Sequence, residues 1–199
     1  ATLKFQLRTE EGQMGEFAAT EMVEFRGKIW STGGYLNGQS YPYQTNGVWS
    51  SIDGIHWRSV VFNAFDSRVG HTLTVFDNKL WVIGGVNGSG DQLSDIWYSS
   101  DGRNWRLATN TPAFGGIVGH NTVVFKDYLV VFKYNEIWVS KNGVRWKRVA
   151  KDIFPSRNYS ELIVYKGVMY IIGGENWSGT GTFYNEIWQS TNGKNWSQV

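Results

Sequence analysis

The chain has 199 residues, no cysteine, 18% charged residues and a net charge of +2. Without cysteine it has no disulfide, no thiolate metal site, no cysteine nucleophile and no thioether-linked tyrosine cofactor. The weak, scattered charge excludes a purely electrostatic nucleic-acid binder, and no apolar run approaches the length needed for membrane insertion.

In chain order, residues 1–9 come first and hold one strand-like run from Phe5 to Thr9, similar to the run from Trp105 to Thr109. It reads as an extra edge strand or as the remnant of a preceding unit. Four similar units follow, at residues 10–61, 62–110, 111–151 and 152–199. Each begins with a β-rich run ending in an aromatic residue, at 22–25, 73–76, 122–125 and 162–165. A short polar turn and a second apolar run come next. In three units that second run ends in a double glycine, at Gly33-Gly34, Gly84-Gly85 and Gly173-Gly174. Strand glycines mark bends or close backbone approach.

The second half of each unit carries the pattern W-x-S-x-[D/N]-G-x-x-W. Its copies run from Trp49 to Trp57, Trp97 to Trp105, Trp138 to Trp146 and Trp188 to Trp196, starting 48, 41 and 50 residues apart. The pairs Asp53-Gly54, Asp101-Gly102, Asn142-Gly143 and Asn192-Gly193 predict type I′ hairpin turns. The two tryptophans of each copy are expected to meet across the hairpin. Each unit therefore reads as four antiparallel strands, A to D, and no stretch has helical periodicity. Four-stranded units at this period are the blades of an all-β propeller: four blades of four antiparallel strands, as a whole ring or as part of a larger one.

These features resemble the kelch repeat family over residues 15–199. The resemblance rests on the apolar strand A, the Gly-Gly after strand B and the aromatic pair of strands C and D. Blade 2 is the clearest copy, from Gly70-His71 through Gly84-Gly85 to Trp97 and Trp105. Blade 3 lacks the Gly-Gly and most of its B–C loop. Residues 99–105 also look like the Asp-box of sialidase-type propellers, one residue short.

A meander sends its tight A–B and C–D turns to one face and its long B–C and D–A loops to the other. Long irregular loops on a rigid scaffold are where binding groups sit. Aligning strand A places Arg68 with Arg157, His71 with His120, and Glu21 with Glu161. These six are expected to ring the mouth of the central channel, with Tyr43 and Trp177 outside them on the long loops. The bland alternative is that the histidines bond backbone carbonyls and the arginines pair with the glutamates. No metal-ligand spacing, phosphate loop or cofactor signature is present, so neither metal nor cofactor is expected. The expected function is non-enzymatic binding of a protein or glycan through the long-loop face, with an oligomer or a larger propeller as context. The alternative is a carbohydrate-binding or glycoside-hydrolysing propeller.

Overall fold

The computed structural model describes residues 17–36, 44–176 and 181–199. Among these there is no helix, and so none long and apolar enough to cross a membrane. Four four-stranded antiparallel sheets, the blades, form a ring arrangement. Blade 1 contains Glu21–Phe25, Lys28–Thr32, Val48–Ser51 and Trp57–Val61 as strands A to D. Blade 2 contains Thr72–Phe76, Lys79–Ile83, Ile96–Ser99 and Arg106–Thr109. Blade 3 contains Asn121–Phe125, Tyr128–Lys133, Glu136–Ser140 and Lys147–Ala150. Blade 4 contains Glu161–Tyr165, Val168–Ile172, Ile187–Ser190 and Ser197–Gln198. Small two-stranded ribbons join Phe17–Ala18 to Tyr35–Leu36, and Glu175–Asn176 to Thr182–Phe183. Strands A of blades 1 and 2, 2 and 3, and 3 and 4 lie side by side at the centre.

Among the described residues, buried side chains gather in three clusters, one at each junction between those blades. Phe25, Trp30, Leu73 and Leu80 join blades 1 and 2. Phe76, Trp81, Ile117 and Leu129 join blades 2 and 3. Phe125, Val130, Leu162 and Met169 join blades 3 and 4. Strand alternation explains this: each inner strand presents one apolar row backward and one forward, so a blade is covered only when both neighbours are present. The forward face of blade 4 is open: Tyr165, Ile172 and Ile187 are 57%, 38% and 38% exposed. Their blade 3 counterparts Phe125, Phe132 and Ile137 are 6%, 1% and 0% exposed.

The C–D turns differ from the expected type I′ form. Only the glycine has positive φ, at Gly54 (77°), Gly102 (73°), Gly143 (71°) and Gly193 (77°), and the preceding Asp or Asn does not. The loop is longer than two residues, since Ser51 faces Trp57 across the hairpin. Side chains shape it instead. In blade 2 the Ser99 hydroxyl accepts the Gly102 N–H at 2.8 Å. The Asp101 carboxylate accepts the N–H groups of Arg103 and Asn104 at 2.9 and 2.8 Å. The closing Trp105 indole donates to the Gly102 carbonyl at 3.1 Å. The same bonds recur in the other blades, with Asn142 and Asn192 standing in for aspartate. Every fixed residue of the repeat after its first tryptophan thus has a place in one turn, an Asx-type device built on a left-handed glycine.

Nor do the paired tryptophans stack on one another. Trp97 faces Leu107, and the strand register slips by a bulge between Leu107 and Thr109. The pair instead clasps a phenylalanine from the loop entering the blade. Phe65 lies 6.4 Å from Trp97 and 5.2 Å from Trp105, ring centre to ring centre. Phe114 sits likewise between Trp138 and Trp146, and Phe154 between Trp188 and Trp196. Most of these contacts are edge-on or steeply tilted, as the ring quadrupoles favour.

Candidate functional site

The long-loop side of the ring carries a cavity of about 470 Å³ at the mouth of the centre. Glu21, His71, His120 and Glu161 line it, together with Asn121 and Ser160. Strand A of each blade starts here, so the residues that begin the four inner strands converge. The Nε2 atoms of His71 and His120 lie 2.9 and 3.2 Å from the hydroxyls of Thr32 and Thr72, each on the preceding blade, and His71 also meets the Thr32 backbone. Their Nδ1 atoms are buried and make no hydrogen bond among the described residues. Burial pushes both imidazoles down to about 3, helped at His71 by the positive charge of Arg68 and at His120 by that of Lys133. Both are therefore neutral at physiological pH. Glu21 moves the other way: burial, and then the charge of Glu161, push its carboxyl up to about 7.

Arg68 and Arg157 do not line this cavity. Both are fully buried and run outward across the blade edge. Arg68 grips the Asp95 carboxylate through two nitrogens at 2.7 and 2.8 Å, and donates to the Gly84 and Asp66 carbonyls at 2.9 and 3.0 Å. Burial alone would raise the Asp95 carboxyl; the Arg68 guanidinium more than offsets this and holds it below its usual range. Arg157 repeats the arrangement with Glu186 at 3.2 Å and the Gly173 carbonyl at 3.0 Å. Its guanidinium also lies over the rings of Phe154 and Tyr184, 4.6 and 4.0 Å from their centres. Each arginine thereby ties three things together: its entry loop, the end of strand B and the start of strand C.

The bland alternative from the sequence paired the arginines with Glu21 and Glu161; the acids that hold them were missed. The signal was present in the sequence as an acidic residue directly before Ile-Trp: Asp95-Ile96-Trp97, Glu136-Ile137-Trp138 and Glu186-Ile187-Trp188. In blades 2 and 3 the acid also accepts its own indole, Trp97 to Asp95 at 2.6 Å and Trp138 to Glu136 at 2.9 Å. Blade 3 shows the logic by exception. Ile117 stands where the arginine would be, and Lys133 replaces the first glycine of the Gly-Gly. Its ammonium donates to the Phe114 and Gly116 carbonyls at 2.6 and 3.1 Å, so the cation arrives from strand B instead of from the loop. The freed Glu136 pairs with Arg148 at 2.6 Å.

The double glycine has its own reason. A side chain on Gly84 would strike the Ile117 carbonyl of the next blade's entry loop, and one on Gly85 would crowd the Val69 carbonyl of its own. The Gly85 N–H donates to that Ile117 carbonyl at 2.8 Å. The motif is where two entry loops cross one strand end, which holds the rim of the mouth close to the axis. Tyr43 and Trp177 lie outside the described residues, as do residues 1–9. Among the described residues, no three His, Asp or Glu side chains are grouped so as to hold a metal ion.

Among curated proteins, none matches the chain. The Kelch motif matches residues 67–109, which span blade 2 from the entry arginine to the end of strand D. The chain is an all-β propeller of four blades, one of which matches the Kelch motif.

Proposed function

We propose that the protein is a non-enzymatic binding module whose long-loop face takes a cationic side chain of a protein partner into the central mouth. A Kelch motif on a propeller supports a protein-interaction module in general. The observation that carries the finer reading is the pairing of Glu21 and Glu161 at a cavity of about 470 Å³ whose histidines are neutral. A carboxyl held up to about 7 by burial, and then by a second carboxylate, releases its proton when a lysine or arginine arrives. Arg68 and Arg157 act in this reading as positioning residues, holding the loops that frame the mouth. Tyr43 and Trp177 are proposed as outer contacts.

Peptide arrays probed side by side with glycan arrays, at about pH 6 and about pH 8, test this. The expected result is binding to peptides with exposed lysine or arginine, stronger at the higher pH and lost in the Glu21→Gln, Glu161→Gln double variant. Binding confined to glycans, or turnover of chromogenic glycosides, would overturn it.

A further inference from the structure

We propose a second binding site, on the opposite face and independent of the central mouth: the seam between blades 3 and 4 takes a small aromatic anion. The argument begins with one repeated position. Trp30, Trp81 and Val130 occupy the same place on strand B of blades 1, 2 and 3. At the first two junctions the indole packs closely against the turn glycine of the next blade. A side chain at Gly102 would overlap the Trp30 ring, and one at Gly143 would overlap the Trp81 ring. Each indole also donates to the carbonyl that ends its own strand A, Trp30 to Phe25 at 3.0 Å and Trp81 to Phe76 at 2.9 Å.

At the third junction the residue is Val130, which has neither the ring nor the donor. Gly193 is met there only by the Met169 methyl group, 3.2 Å from where a β-carbon would stand. The space left is a cavity of about 500 Å³. Its floor is apolar, formed by Phe125, Val130, Ile137 and Met169. This volume lies in the range of small-molecule sites, which pair an apolar lining with few polar groups. Apolar cavities of this kind accept aromatic rings.

Charge selects the ring's substituent. Lys126, Lys141, Arg145, Lys147 and Lys194 line the cavity, and no acidic residue does. All five cations are exposed side chains at its rim. In a chain of net charge +2, five cations around one apolar opening form a local positive field. The occupant that fits all three features is a planar ring of indole size, with an N–H or O–H for the Phe125 carbonyl and a carboxylate, sulfonate or phosphate at the rim.

Titration calorimetry with indole-3-acetate, and with neutral indole as control, tests the site. Wild type should bind the anion with one-to-one stoichiometry, about fivefold to tenfold tighter than indole, and lose that margin in high salt. Val130→Trp should restore the ring seen at the other junctions, raise the melting temperature and weaken indole-3-acetate at least about tenfold. An Arg145→Gln, Lys147→Gln variant should weaken the anion and leave indole unchanged. Equal affinity of wild type and Val130→Trp overturns the site, and equal affinity for anion and indole overturns the ligand class. If Val130→Trp does not fold, amide shifts in the wild-type protein decide: indole-3-acetate must move the Asn142 and Gly193 signals, and shifts confined elsewhere overturn the proposal.

Discussion

At the residue scale, the fold depends on charges placed where water does not reach. Arg68 is fully buried and its partner Asp95 partly so, and removing one member of such a pair strands the other. Asp95→Ala should therefore cost about 3–5 kcal/mol in denaturant unfolding, whereas Arg68→Met combined with Asp95→Leu should recover most of that loss. The alignment of Arg68 with Arg157 was legible in the sequence, because repeats equate positions. Their acids were harder to assign, because Asp95 and Glu186 close long, dissimilar loops just before strand C and only the recurring acid before Ile-Trp marks them. Glu21 supplies a pH test. Its folded carboxyl titrates at about 7 against an ordinary 4.5, so the folded state keeps a proton that the unfolded chain has already released. Its contribution to stability falls as pH rises through that window. Glu21→Gln removes the slope. In urea midpoints the variant should gain on wild type at about pH 8, and the gain should vanish by about pH 4. A constant difference across pH would mean that Glu21 titrates normally.

At the element scale, the tryptophan spacing was read correctly as a repeat and incorrectly as a cross-strand pair. The two indoles are set apart to hold Phe65, Phe114 or Phe154, which sit on loops where periodicity carries no information. A local signal existed in two blades as Phe-x-x-Arg, at Phe65 with Arg68 and at Phe154 with Arg157. Turn chemistry was misread for a related reason: Asp-Gly and Asn-Gly signal a two-residue turn only when the serine two positions earlier is ignored. Phe114→Ala should cost about 3–5 kcal/mol, the range for emptying an aromatic core site. Tyr165→Ala, on the open face of blade 4, should change stability by about 0.5 kcal/mol or less, as surface substitutions do. Thermal and denaturant unfolding of both variants checks the contrast. Similar costs would mean that the forward face of blade 4 is covered in solution.

At the scale of the whole molecule, three cemented junctions among the described residues serve four blades, and the described residues leave one face of blade 4 exposed. The sequence shows the same apolar rows in every unit but cannot say which row finds a neighbour; that depends on how the sheets follow one another in space. In a repeat protein, stability is shared through contacts with neighbouring units, so a unit with one exposed face opens locally more often than those packed on both sides. This bears on how the protein ages. Asn142-Gly143 and Asn192-Gly193 are the kind of dipeptide in which the glycine nitrogen attacks the asparagine amide, closes a succinimide and releases ammonia. In the turn that nitrogen is held by a serine hydroxyl, Gly143 at 2.9 Å and Gly193 at 2.8 Å, and the asparagine oxygen is engaged by the next two N–H groups. Deamidation must then wait for the turn to open, and it becomes a slow chemical clock for each blade. Peptide mapping by mass spectrometry after prolonged storage should find Asn192 converted well before Asn142. Equal conversion would show that the two blades open alike. Hydrolysis of the succinimide to aspartate would return the residue that blades 1 and 2 already carry at Asp53 and Asp101, so part of the aged protein would keep its turn.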